Sequence, residues 1–273
     1  MTPVPVIVTR PARDADRWVQ ALQARGLRAE ALPLIEIAAL PASQALSQAW
    51  RDIIAYAALM FVSGNAVEGF FASDQALALI QRAQTATDSI ADSIADEAPR
   101  FLAPGPGTVA ALQHAGVPEA LIDAPAADAG QFDSEALWAV AGQRDWQGRR
   151  VLIVRGQSAG AEAAASAGRD WLAQQLGAAG ASVDAVAVYE RRAPVFTTQQ
   201  LQRVGKAAGD GSIWLLSSSE ALANLPAGGW SQARAVATHP RIAEAARAAG
   251  WGVVVQSRPA LEDIVASIES MQP

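Results

Sequence analysis

The sequence predicts an α/β protein of two similar lobes, each a parallel sheet flanked by helices, with a cleft between them. Three observations carry this reading. Short apolar runs alternate with amphipathic helical segments, the order of these segments occurs twice, and small polar residues or glycine return wherever a strand passes into a helix.

The first unit opens with an apolar strand from Val4 to Val8 and a polar turn from Thr9 to Arg13. An amphipathic helix follows from about Asp14 to Arg25, with Trp18, Ala21 and Leu22 on one face and Gly26 as its C-cap before a second strand. "VLIVRG" and "GRDWLAQQLGAAGASVDAVAVYERR" repeat that order. A strand runs to Arg155, a helix carries Trp171, Leu172 and Leu176, Gly180 ends it, and a strand runs out at Tyr189 into a charged Glu-Arg-Arg run. Two further pairs match in the same way: "LMFVSGNAVEGFF" with "IWLLSSSEALANL", and "RFLAPGPGTVAALQHAGV" with "RAVATHPRIAEAARAAGW". A duplicated strand-helix unit explains all three pairs, and ligands of such sheets lie beyond the carboxyl ends of the strands. Residues 85–100, with a small DSIA echo, and 156–170, rich in Ala, Gly and Ser, read as surface insertions; "GGWSQ" reads as a plain turn.

The chain has 273 residues, 51% hydrophobic and 18% charged, enough for one large or two modest cores. Its net charge of -6 speaks against a nucleic-acid partner, which needs clustered Lys and Arg. Without cysteine there is no disulfide, thiolate nucleophile or Cys-based zinc site, and His114 and His239 stand too far apart for a metal pair. The first apolar run meets Arg10 and Pro11 early, and no later run has a membrane span's length, so no membrane association and a cytoplasmic location are expected. A monomer fits the net charge and the absence of heptads.

Chemistry concentrates at six strand-to-helix turns: Thr9 and Arg10, Ser63 to Asn65, Gly105 to Thr108, Arg155 and Gly156, Ser217 to Ser219, and Thr238 and His239. Each alone is an ordinary N-cap. Six of them aimed at one cleft make a receptor for a ligand with many carboxylates or phosphates, held by backbone N–H groups and partial positive charge. Gly105, Gly107 and Ala110 also satisfy a dinucleotide-type G-x-G-x-x-A pattern with Asp123 downstream, although the matching turn "THPRIAEAA" lacks glycine. Tyr189 admits two readings. Its ring covers the strand end while the hydroxyl meets water, or the hydroxyl enters the cleft as a general acid. Tyr56, the other tyrosine, reads as helix packing.

"VIVTRP", "FVSGNAV", "GPGTVAALQHAGV", "VLIVRG", "VAVYERR", "WLLSSSEALANL" and "ATHPRIAEAARAAGW", in this order and spacing, resemble the uroporphyrinogen-III synthase family over nearly the whole chain. The resemblance implies two α/β lobes joined by two extended connections. Residues 1–36 and 193–273 would form the first lobe, 41–188 the second, and 37–40 and 189–192 the connections. It implies a cofactor-free and metal-free enzyme that cyclises the linear tetrapyrrole hydroxymethylbilane, inverts the terminal ring and releases water, with a transient handover from the preceding enzyme. Tyr189 matches the family tyrosine proposed to assist loss of the substrate hydroxyl, and Arg10, Ser63, Asn65, Gly105, Thr108, Arg155, Ser218, Ser219 and Thr238 are the implied substrate-binding residues. Gly64 departs from the larger residue common at its place. A two-lobed protein of the same descent that binds a tetrapyrrole or another polyanion without turnover is the alternative.

Overall fold

A computed structural model describes residues 4–88, 98–158, 167–226 and 228–272, with the backbone alone for 86–88 and 167–170. The expected insertions at 85–100 and 156–170 lie partly outside the described residues. The chain divides into two compact units, Met1–Glu36 with Arg192–Pro273, and Ile37–Arg191.

The chain enters through β1 (Val6–Val8), α1 (Ala12–Gln23) and β2 (Ala29–Ala31). Pro11 stands at the N-cap of α1, which therefore begins two residues before the expected Asp14; proline fixes φ near helical values and needs no amide partner. Gly26 ends this segment at φ 79°, a left-handed conformation that a side chain would strain. Then come β3 (Glu36–Ala39), α2 (Gln44–Arg51), β4 (Ala58–Phe61), α3 (Gly64–Phe71) and α4 (Ala76–Asp88). The first residues of the 85–100 stretch are thus the end of α4. Next in the described residues follow β5 (Arg100–Leu102), α5 (Pro106–His114), β6 (Ile122–Asp123), α6 (Ser134–Ala141) and β7 (Arg150–Ser158).

The last third holds α7 (Ala167–Ala178), β8 (Ser182–Arg192), α8 (Thr198–Ala207), β9 (Ile213–Leu216) and α9 (Ser219–Leu222). It ends with β10 (Arg234–Ala237), α10 (Pro240–Ala248), β11 (Val253–Gln256) and α11 (Leu261–Ser270). The "GGWSQ" stretch is more than a turn. Gly228 and Gly229 take φ of 86° and 82°, and buried Trp230 stacks on Trp251 at 5.0 Å, with Trp214 edge-on to both.

One sheet has the order β2-β1-β9-β10-β11 and the other β3-β8-β7-β4-β5-β6. All neighbours in the first are parallel, as are the neighbours from β8 to β6 in the second. The central strands β4 and β9 are buried at every position, as strands covered on both faces must be. In the first sheet Val6, Val8, Ile213, Leu215 and Val236 pack against Ala15 and Leu22 of α1 and Ile264 and Ile268 of α11. In the second, Leu59, Phe61, Leu152 and Val154 face one core and Met60, Val151 and Ile153 the other, the two-residue alternation of a strand.

The recurring segments occupy equivalent places: β7 and β8 stand to β4, β5 and β6 as β1 and β2 stand to β9, β10 and β11. The repeats are exchanged between the units. The early repeat lends β1 and β2 to one unit and β4 to β6 to the other, and the late repeat does the reverse. The segments around the two crossings, expected as extended connections, are β3 and the end of β8, neighbours in one sheet.

Candidate active site

Because the five strands of the first sheet and β4 to β8 of the second run the same way, their carboxyl ends share an edge in each. The most open place on such an edge is the switch point, where successive connections depart in opposite directions. In the first unit that point lies between β1 and β9, and in the second between β7 and β4. Arg10 and Ser218 follow the first pair of strands. Ser63 follows β4, and Arg155 lies within β7 one residue past Val154, the partner of Phe61 at the end of β4, beside the part of β8 that holds Tyr189. The first unit thus gathers Arg10, Ser218, Ser219 and Thr238 on one edge; the second gathers Ser63, Asn65, Gly105, Thr108, Arg155 and Tyr189 on its own.

In the second unit Ser63 is the N-cap of α3, its Oγ accepting from the Ala66 N–H at 3.2 Å. The same Oγ lies 3.1 Å from the Tyr189 hydroxyl, and either group can donate. Tyr189 is only 5% exposed, its ring within the core of Val186, Val188 and Phe61. The contact shown for its hydroxyl is with Ser63, which is half-buried. The Gly64 and Asn65 N–H groups, in the first turn of α3, have no acceptor among the described residues, as an anion site requires. A Cβ at Gly64 would meet only ordinary contacts with Ala111 and Gly107, so the glycine is not needed for space.

The turn before α5 offers less. Pro106 has no N–H, and the Thr108 N–H donates to the Gly105 carbonyl at 3.0 Å. Thr108 is 6% exposed, so Gly105 and Gly107 carry whatever that turn presents. Phe132 closes over Gly105, 3.2 Å from where a Cβ would stand. The dinucleotide reading fails at Asp123, whose carboxylate is occupied: Arg100 reaches it at 2.5 Å and Arg144 at 2.8 Å. Burial works to raise the Asp123 pKa, but the hydrogen bonds and charges of the two arginines outweigh it and leave it lowered.

In the first unit Thr9 is buried, its hydroxyl donating to the Leu215 carbonyl at 2.7 Å, which ties the ends of β1 and β9 together. The guanidinium of Arg10 lies 4.7 Å from the centre of the Trp18 ring, and its buried Nε–H finds no acceptor among the described residues. Burial lowers its pKa, opposed by Asp14, although an arginine remains charged near neutrality. A partly desolvated cation with an unanswered Nε–H at a switch point is the strongest anion-binding feature of this unit. Trp18, which positions it, was legible only as a core residue.

Ser218 caps α9 by accepting from the Ala221 N–H at 3.4 Å, but that helix has only four residues, too short for much dipole. At α10 the amides are consumed: Pro240 has none, the Arg241 N–H donates to His239 Nδ1 at 3.2 Å, and the Ile242 N–H to the His239 carbonyl at 3.0 Å. The Thr238 N–H donates to the Leu216 carbonyl at 3.1 Å, and its side chain is buried. The six turns are thus not equivalent: within the first unit Arg10, and within the second the start of α3, keep donors without an acceptor among the described residues.

Tyr56, expected as helix packing, is buried in a core shared with α2 and α3 and also anchors a polar cluster. It ends a short 3-10 turn and donates to Asp184 Oδ2 at 2.8 Å beneath the Arg150 guanidinium, near the amino ends of β4, β7 and β8. Burial first, then the Asp184 hydrogen bond and charge, raise its pKa to about 12. No helix among the described residues is long and apolar enough to cross a membrane.

No curated protein sequence matches the chain. Among solved structures it is similar to a mutant uroporphyrinogen III synthase from Thermus thermophilus, with 15% identity, 98% of each chain covered and a TM-score of 0.55. It is also similar to a uroporphyrinogen-III synthetase from Helicobacter pylori, with 15% identity, 99% of this chain and 100% of that one covered, and a TM-score of 0.54. Identities this low establish the fold alone. The family described as Uroporphyrinogen-III synthase HemD matches residues 16–266, taking in both units and both crossings. With that match over most of its length, and with parallel sheets flanked by helices, the chain belongs to the uroporphyrinogen-III synthase family and so to tetrapyrrole biosynthesis.

Proposed function

We propose that the protein closes hydroxymethylbilane to uroporphyrinogen III. The family match supports the reaction, and the Ser63–Tyr189 pair at a carboxyl edge is the observation that ties it to this chain. Water leaves the hydroxymethyl group as that group takes a proton, giving an azafulvene cation. The substituted carbon of the terminal ring attacks the cation to form a spiro intermediate, which fragments and recloses with that ring inverted. A proton lost as the ring regains aromaticity balances the one supplied.

Tyr189 is the proposed proton donor. Its burial makes Ser63 the group through which the phenol meets the leaving oxygen, so the pair acts as one acid. The eight carboxylates of the substrate are matched to Arg10, Arg155, the Gly64 and Asn65 amides, the Gly105 turn, and Ser218 and Ser219. Thr108 and Thr238, with their amides engaged, line the edge as buried hydroxyls. Holding a flexible chain with its ends together is the larger contribution, since orientation alone removes much of the barrier to ring closure. The pyrrole nitrogens supply the electron push, and no step calls for a metal or cofactor. In this reading the protein acts as a monomer and receives its linear substrate, which also closes unaided, from the enzyme that makes it.

Burial of Tyr189 favours a second reading, binding of the tetrapyrrole without turnover. An assay coupled to fresh hydroxymethylbilane separates the two. Type III product above background supports the synthase, and type I product at the spontaneous rate supports the binder.

A further inference from the structure

In β8, Val186 and Val188 belong to the core that also holds Leu152 and Val154, while Val183 packs on the opposite face with Val151 and Ile153. Strict alternation would send Tyr189 to that opposite face. It lies instead in the same core as Val188. The register shows why: Arg155 pairs with Ala187, but Gly156 pairs with Tyr189, leaving Val188 as an extra residue. A bulge of this kind restarts the alternation and re-aims the next side chain.

Gly156 continues the series Leu152, Val154 on the face to which Tyr189 is turned, where any side chain would enter the core. A Cβ at Gly156 would lie under 3.0 Å from Cε2, Cζ and Cδ2 of Tyr189. The tyrosine ring fills the space that a side chain at 156 would take. Cζ carries the hydroxyl, so displacing the ring moves the hydroxyl from its 3.1 Å partner, Ser63 Oγ. The extra residue is used as well. Val188 sits so close to Gly69 of α3 that a Cβ there would be 3.0 Å from its Cγ2. The helix capped by Ser63 is therefore seated on β8 beside the tyrosine.

We propose that Gly156 and the adjoining bulge are the device that sets the Tyr189 hydroxyl on Ser63, which makes Gly156 a positioning residue for the reaction; this rests on the proposed function above. The chain has two tyrosines, so protein carrying ring-labelled tyrosine gives two sets of NMR signals, assigned with Tyr56→Phe. In the unaltered protein the Gly156 Hα protons should show cross-relaxation to the Tyr189 ring. In Gly156→Ala the Tyr189 signals should move and those of Tyr56 stay. Turnover should fall about tenfold with KM within about twofold, and the same change in a Tyr189→Phe background should cost nothing further in kcat. Absence of the Gly156–Tyr189 cross-relaxation overturns the proposal whether or not the variant folds. So do unmoved Tyr189 signals in folded Gly156→Ala, or losses that simply add. The spectra read ring placement without the reaction, so an unaltered chain making no type III product would sink the proposed function while they still judged the device.

Discussion

Ser63 and Tyr189, 126 positions apart, place their hydroxyl oxygens 3.1 Å from each other. One caps a helix at the end of β4 and the other follows a bulge late in β8, so two strands flanking β7 deliver them to the same edge. A phenol held this way has a defined partner before any substrate arrives.

Tyr189→Phe keeps the ring in its core and removes only the hydroxyl. Turnover should drop about 100-fold or more, the scale of a lost general acid. The melting temperature should change little, because Ser63 keeps the Ala66 amide. Steady-state kinetics and calorimetry on the same sample check both expectations; unchanged turnover would leave the tyrosine a packing role only.

Arg10→Gln removes a cation already desolvated against Trp18. Loss of one charge-assisted contact to a carboxylate is worth about 1.5–3 kcal/mol, so KM should rise about tenfold or more while kcat holds. A KM that stays put would show that Arg10 serves only the Trp18 contact.

Asp123→Asn strands Arg100 and Arg144, and with Arg144 partly exposed the expected cost is about 1–3 kcal/mol at neutral pH. The folded pKa of Asp123 is lowered, so its contribution is present above the unfolded value near 3.8 and is lost as pH falls through the folded one. Denaturant melts should therefore show the gap between the two proteins closing in acid. Catalysis should be unaffected, in contrast to what a ribose-binding acid would give.

Tyr56 has a folded pKa of about 12 against an ordinary value of 10.0. Between those pH values the folded state holds a proton that the unfolded chain releases, so stability should fall as pH rises from 10 toward 12, by about 2 kcal/mol. Tyr56→Phe should lack this slope, and alkaline denaturation curves would show whether it does.

Much of the fold was legible because strand cores and strand-to-helix turns are local patterns. "VIVTRP" and "VLIVRG" do mark equivalent strands, β1 and β7. The two-residue β6 is too short to leave a periodic signal. The brevity of α9 was hidden because Ser218 caps four residues with the same chemistry that caps ten. At the site, residue types pointed to the right edges but not to how their amides are spent. His239 uses its own ring to close α10, and Asp123 answers two arginines that arrive from distant segments. The bulge that turns Tyr189 inward depends on strand pairing, and a lone glycine after "VLIVR" signals it only once the partner strand is known.

The most direct test of the account is the isomer composition of product formed from freshly generated hydroxymethylbilane. Uroporphyrinogen III should form faster than spontaneous closure and predominate. Product of type I alone, appearing at the rate seen without protein, would contradict it.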